Sequence, residues 1–153
     1  MANKGFSLDF GGFLDFAEKL DELGGGDALL NATVKALDES KKYVNAAISD
    51  AMNSSEYEFT KGSGYSKGEA RESLKQIADM PVMVEGTVVK AYTGVDLADT
   101  PEVIILAVTG APNRAKDTKL SNAVKVKGKI RKEVDRIQDE VFSKALKEAL
   151  HNG

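Results

Sequence analysis

Residues 82–108 read VMVEGTVVKAYTGVDLADTPEVIILAV, and they predict the small sheet on which the rest of the chain packs. Valine recurs through 82–92, where Gly86 indicates a bulge or a turn. Residues 103–108 are an unbroken apolar run of strand length, bounded by a proline and a glycine. Because the connection at 94–100 is short and polar, we expect the two runs to form an antiparallel pair.

Apolar residues at helical spacing predict three helices before this sheet. The first covers about 8–23 and ends at three consecutive glycines, where a continued helix is entropically costly. The second covers about 27–52 with Asp27 as its N-cap. At 1.5 Å per residue it is about 37 Å long, so we expect part of it to contact another chain. Its predicted outward side chains are Asp38, Glu39, Lys41 and Lys42.

The third helix covers about 67–78 and follows a polar stretch. Residues 53–65 are rich in serine and glycine and predict an exposed mobile loop. Ser66 and Glu69 have the spacing of a capping box, in which each side chain bonds the backbone amide of the other residue. The predicted buried side of this helix consists of Ala70, Leu74 and Ile77.

From Leu120 the spacing is helical to the end of the chain, with Gly128 able to break or begin that helix. With 153 residues, 42% of them hydrophobic, the chain fits a single domain. We therefore predict one domain, 1–153, of the α+β class: a small antiparallel sheet packed by long amphipathic helices.

Composition excludes several classes of protein. The chain has no cysteine, which excludes disulfides, thiolate metal sites and a cysteine nucleophile. No apolar run approaches the roughly 18 residues of a membrane span, and the first residues do not resemble a signal peptide. A net charge of -3 argues against a general nucleic-acid binder. We expect a protein made in the cytosol, with no membrane partner.

No residue pattern indicates catalysis, a cofactor or a metal. The single histidine, His151, lies close to the C-terminus. Residues 62–68 superficially resemble a phosphate-binding loop but match neither the dinucleotide nor the Walker spacing. Ser66 is explained by capping. Three carboxylates flank one turn, where such groups usually bond their own backbone: Asp96, Asp99 and Glu102. We predict that the protein is not an enzyme.

The basic stretch at 119–136 is the strongest functional signal. It is consistent with a solvated helix face, with an extended arm, or with a surface for an acidic protein or a nucleic-acid backbone. The acidic N-terminal helices of an identical neighbour would be one such partner, in a head-to-tail ring. The candidate assembly interface comprises Lys61, Tyr65, Lys125, Lys127, Lys129 and Arg131.

Four segments taken in order resemble a known family. They are SKGEARESL at 66–74, GTVVKAYTG at 86–94, VIILAV followed by TGAP at 103–112, and LSNA at 120–123. Together with the long helices, they resemble the small neck or tail-completion proteins of long-tailed bacteriophages, which join head to tail. The segment at 64–67 departs from the proline–aspartate–threonine usual in that family, so neck, tail-terminator and tail-completion roles all stay open.

The resemblance implies a structural virion protein, made in the bacterial cytoplasm, that acts in head–tail joining or tail completion. Its partners would be itself, in a possible ring, and neighbouring neck or tail proteins, with non-specific proximity to DNA. It implies no catalytic residue and no cofactor. The alternative is a small accessory binding module that recognises an acidic protein or a nucleic-acid surface.

Overall fold

A computed structural model describes residues 6–9, 26–55, 57, 69–86, 88–96 and 102–152. These residues form β1 (Phe6–Asp9), α1 (Gly26–Asn53), α2 (Glu69–Ala78), β2 (Met83–Glu85), β3 (Val88–Thr93), α3 (Glu102–Thr109), α4 (Thr118–Lys125) and α5 (Lys129–Asn152). Helices dominate, and they accompany a small antiparallel sheet. The predicted α+β class is confirmed.

The three strands form one antiparallel sheet in the order β1-β3-β2. Successive side chains of β3, the central strand, point to opposite faces of the sheet: Val89, Ala91 and Thr93 are buried, whereas those between them are half-buried. Gly86, with a φ of +60°, lies between β2 and β3 in a left-handed conformation that glycine adopts without steric cost. Residues 82–92 are therefore a hairpin rather than one strand.

α1 is the helix around which the other elements pack. Its most extensive contact is with α5, and it also contacts α4, β3 and α2. Buried positions run from Leu29 to Met52, so α1 is packed within this chain along nearly its whole length. The helix predicted at 27–52 is confirmed. Its length, which led us to expect a contact with another chain, is instead explained by packing against α5 and α4 of the same chain. Asp27 is not its N-cap, because α1 begins at Gly26 and Asp27 lies in the first turn.

Two contacts give the direction of the C-terminal helices. Lys119, at the start of α4, forms an ion pair with Asp50 near the end of α1 (2.8 Å). Glu133, in the second turn of α5, lies close enough to Tyr43 to help raise the pKa of that phenol, although burial is the larger cause. From α4 into α5, the chain therefore travels back towards the start of α1.

The apolar run at 103–108 is not a strand, so the predicted pairing with 82–92 is wrong. It lies in α3, where Ile104 and Ala107, three residues apart, are buried and Ile105 is 44% exposed. Gly110 follows the helix with a φ of +85°, and its amide donates to the Leu106 carbonyl (2.7 Å), a common helix end. A short apolar run has no period that separates a strand from a buried helix.

The predicted first helix is wrong at its start. Residues 8 and 9 belong to β1, whose Phe6 and Leu8 pair in register with Thr93 and Ala91 of β3. The remainder of that prediction, 10–23, lies outside the described residues. The ladder with β3 is formed by residues about 80 positions away in sequence, a contact that local periodicity cannot register.

α2 follows the predicted short helix closely. It begins at Glu69, and Ala70, Leu74 and Ile77 are buried as expected. Ser66 of the capping box lies outside the described residues. So does most of the predicted loop at 53–65, of which Asn53 ends α1 and positions 54, 55 and 57 are described.

Lys41 faces the interior, contrary to the prediction that it faces solvent. It is only 3% exposed, and its ammonium donates a hydrogen bond to the Met80 carbonyl just beyond the end of α2. Burial lowers its pKa, while the nearby carboxylates of Asp38 and Asp79 act in the opposite direction. A cation at this position also stabilises the carbonyl end of α2. Lys41 thus connects α1 to the segment that leads into the sheet.

Candidate assembly surface

α4 is fixed at its start by a cluster that joins it to the end of α1. The Ser55 hydroxyl donates to Asp117 (2.6 Å), and the Tyr57 hydroxyl donates to the Ala115 carbonyl (2.9 Å). The guanidinium of Arg114 lies 3.8 Å from the centre of the Tyr57 ring, a cation–π contact. These contacts hold the loop before α4 against the end of α1.

Asp117 also caps α4. Its second carboxylate oxygen accepts a hydrogen bond from the Leu120 amide (3.0 Å), which satisfies an amide with no partner inside the helix. Helical spacing in the sequence indicates a start only at Leu120, so this cap was not predicted. An aspartate three residues before Leu120, followed by a threonine, is the signal that identifies it.

α4 ends in a Schellman motif with an unusual residue. The amides of Val126 and Lys127 donate to the carbonyls of Ala123 and Asn122 (3.3 and 2.9 Å). Val126 has φ 52° and ψ 58°, a left-handed conformation that glycine normally occupies at this position. For a β-branched residue this conformation is strained. Val126 is only 8% exposed, so burial of its side chain offsets the strain.

Replacing Val126 with glycine is expected to cost less stability than the same change at Val124. Both valines are almost equally buried, at 8% and 7% exposed. Only Val126→Gly relieves the left-handed strain, and only Val124→Gly places glycine inside a helix. We expect both variants to lose stability, as measured by urea denaturation. The loss in the free energy of unfolding should be about 2 kcal/mol smaller for Val126→Gly than for Val124→Gly. Equal losses would mean that Val126 is not strained.

Four lysines gather around this strained turn. Lys125 ends α4, Lys127 lies in the turn, and Lys129 and Lys132 lie in the first turn of α5. Lys125 is half-buried and the other three are exposed. Within the described part of the chain, none of the four forms an ion pair. We call these four residues the lysine surface.

The structure separates the predicted interface residues into three groups. Lys125, Lys127 and Lys129 lie within five consecutive residues around the turn that joins α4 to α5. Arg131 pairs with Asp135 (3.3 Å), whereas Lys132, which was not among the predicted residues, forms no ion pair among the described residues and belongs to the lysine surface. Lys61 and Tyr65 lie outside the described residues.

The lysine surface lies at the electrostatically unfavourable end of α5. The N-terminus of a helix carries partial positive charge, which basic side chains oppose and acidic ones stabilise. The first turn of α5 nevertheless holds no acidic residue. Lys129 and Lys132 therefore each cost a little helix stability, and a negatively charged partner would reverse that cost, whereas Lys125 lies at the favourable C-terminal end of α4.

The positive charge stops abruptly along α5. Arg136 donates to Glu133 and, at 2.7 Å, to Glu140, and the hydrogen bond from Arg136 is the main cause that lowers the pKa of Glu133. Beyond Lys132 the exposed face of α5 thus carries charges of both signs, and those from Glu133 to Glu140 include two ion pairs of Arg136. The basic stretch at 119–136 is accordingly two helices joined by a turn, not an extended arm.

The other candidate sites gain no support. Among the residues that the structure describes, no group of three histidine, cysteine or acidic side chains could hold a metal ion. Asp99, Ser66 and the segment at 62–68 lie outside those residues. The Asp96 amide donates to the Ser73 hydroxyl (2.6 Å), which places Asp96 against α2.

Comparison of the chain with protein-family models, curated proteins and solved structures found no match. Within the described ranges, none of the helices combines the length and the apolar character needed to cross a bilayer.

Proposed function

We propose that this protein is a structural subunit of a long-tailed bacteriophage or prophage particle, acting in head–tail joining or tail completion by contact with other protein chains. The lysine surface is the observation that carries the proposal. It consists of ammonium groups that the described part of the chain leaves without acidic partners, on a backbone fixed at both ends of α4. The sequence resemblance to neck and tail-completion proteins supplies the biological setting.

Several features of the fold support a role in assembly. α1 and α5 pack extensively on each other, and α4 is capped at one end and closed by a Schellman motif at the other. A surface held by such elements presents its charges in one geometry, so binding loses little conformational entropy in the backbone. Charge complementarity at such a surface favours correct encounters and disfavours wrong partners.

The alternative is an accessory module that binds an acidic protein or a nucleic acid outside any particle. The same lysine surface favours this candidate. Salt dependence separates the two functions: binding that falls steeply with salt indicates the accessory module, whereas salt-insensitive association with other subunits indicates a particle component.

Charge reversal at the centre of the lysine surface is expected to impair assembly. In a phage that lacks the gene and is complemented with Lys127→Glu/Lys129→Glu, we expect infectious particles to fall on the order of tenfold or more, because like charges replace attraction at the contact. Both side chains are exposed, so circular dichroism and the melting temperature should stay near those of the wild type.

A matched control uses lysines elsewhere on the surface. Lys35 lies on α1 and Lys75 on α2; both are exposed, and Lys35→Glu/Lys75→Glu makes the same change in net charge. We expect this variant to complement normally. Normal particle yield with Lys127→Glu/Lys129→Glu, or an equal loss with the control, would contradict the proposal.

A further inference from the structure

We infer that the lysine surface docks a compact cluster of carboxylates on a partner protein, and not the backbone of a nucleic acid. This inference rests on the proposed function, because it specifies the partner chemistry of the same surface. Its first support is size. The surface occupies the end of α4, a turn and only the first turn of α5, so it extends about 5 Å along the α5 axis.

The second support is the boundary of the surface. A nucleic-acid backbone carries charge continuously and would extend along α5 beyond Lys132. There it would meet Asp135 and Asp139, both exposed. On the α4 side, Lys119 is already paired with Asp50 (2.8 Å). A short carboxylate cluster can contact the four lysines without reaching either region.

The third support is the absence of stacking groups from the segment that carries the lysine surface. Residues 114–141 contain no phenylalanine, tyrosine or tryptophan, so this segment offers no platform for bases. The net charge of -3 also repels a long polyanion at distances beyond the surface itself. Both facts favour recognition of a small acidic patch over a nucleic acid.

The contact made by the lysine surface alone is predicted to be moderate and sensitive to salt, whereas association of whole subunits, which buries further contacts, is not. Exposed ion pairs contribute little individually, and screening acts over about 10 Å at 0.1 M salt. Four lysines held around one turn act together, so their main effect is on association rate and on partner choice. The rest of the contact between the two proteins must supply most of the affinity.

The test is a titration of the isotopically labelled full chain followed by amide NMR shifts. The first probe is an oligoglutamate peptide of about eight residues, which spans roughly two turns of helix. The second is a short DNA duplex, at the same concentration and salt. We expect the peptide to shift amides of 125–132 and to bind more tightly than the duplex. Lys127→Glu/Lys129→Glu should weaken peptide binding about tenfold or more, while Lys35→Glu/Lys75→Glu should leave it unchanged.

Three results would overturn the inference: tighter binding of the duplex, no binding of the peptide, or equal peptide binding by the charge-reversed variant. None of them by itself overturns the proposed function. If the peptide fails to bind but Lys127→Glu/Lys129→Glu still abolishes particle formation, the surface is an assembly contact with a different partner chemistry. If the wild type binds the peptide but is absent from particles, the partner chemistry stands and the structural role falls.

Discussion

Replacing Ile104 with alanine is expected to lower the free energy of unfolding by about 3 kcal/mol, a typical cost of removing a fully buried isoleucine side chain. Ile104 is 1% exposed and faces the core from α3. Ala107, one helical turn later, is buried on the same side. Urea denaturation of the variant, analysed as a two-state transition, measures the loss directly.

The adjacent isoleucine is the matched control. Ile105 is 44% exposed, so Ile105→Ala should cost less than about 1 kcal/mol. If the two variants lose equal stability, both neighbouring side chains are buried, as in a strand covered on both faces. That result would contradict the helical assignment of 102–109.

Replacing Lys41 with glutamate is expected to cost about 3 kcal/mol or more, because it leaves an uncompensated charge in the interior. The new carboxylate would face the Met80 carbonyl, which now accepts a hydrogen bond from the ammonium. It would also be repelled by Asp38 and Asp79, whose charges now favour the protonated lysine. Thermal and urea denaturation should both report the loss.

Two further variants isolate the cause of that loss. Lys41→Met keeps an unbranched apolar side chain and removes the charge, so it should be far less destabilising than Lys41→Glu. Lys42→Glu makes the same charge change one residue later, at a side chain that is 64% exposed, and should cost much less. A loss at Lys42→Glu as large as at Lys41→Glu would contradict burial as the cause of the loss at Lys41→Glu.

Long, strongly periodic segments could be predicted from the sequence. The stripe through Leu37, Val44 and Ile48 identifies α1, and the buried positions of α2 follow in the same way. In both helices, the residues that set the period are also those that pack. Local pattern and tertiary burial agree there, so local reasoning is sufficient.

Other features depend on contacts that the local sequence does not contain. Residues 8 and 9 join β1 because β3 lies beside them, and Lys41 turns inward because the carbonyl of Met80, 39 residues later, lies within its reach. The run at 103–108 is apolar on all sides, so it has no period from which helix and strand can be separated.

The lysine surface was only partly predictable. Basic residues at alternate positions identified Lys125, Lys127 and Lys129, whose grouping follows from the turn at Gly128. The sequence did not indicate which cation of that turn would be paired: Arg131 pairs with Asp135, whereas Lys129 and Lys132 form no ion pair among the described residues. A choice between two neighbouring cations depends on side-chain geometry, which spacing alone does not determine.

The most direct test of the structural role is quantitative mass spectrometry of phage particles purified from bacterial cells that carry the gene. A structural subunit of the head–tail junction should be present at a fixed, small number of copies per particle. It should remain after the particles are washed with salt, because a closed assembly buries its contacts and screening acts weakly on buried charges. Absence of the protein from purified particles, with abundant protein in the lysate of the same cells, would contradict the proposed function.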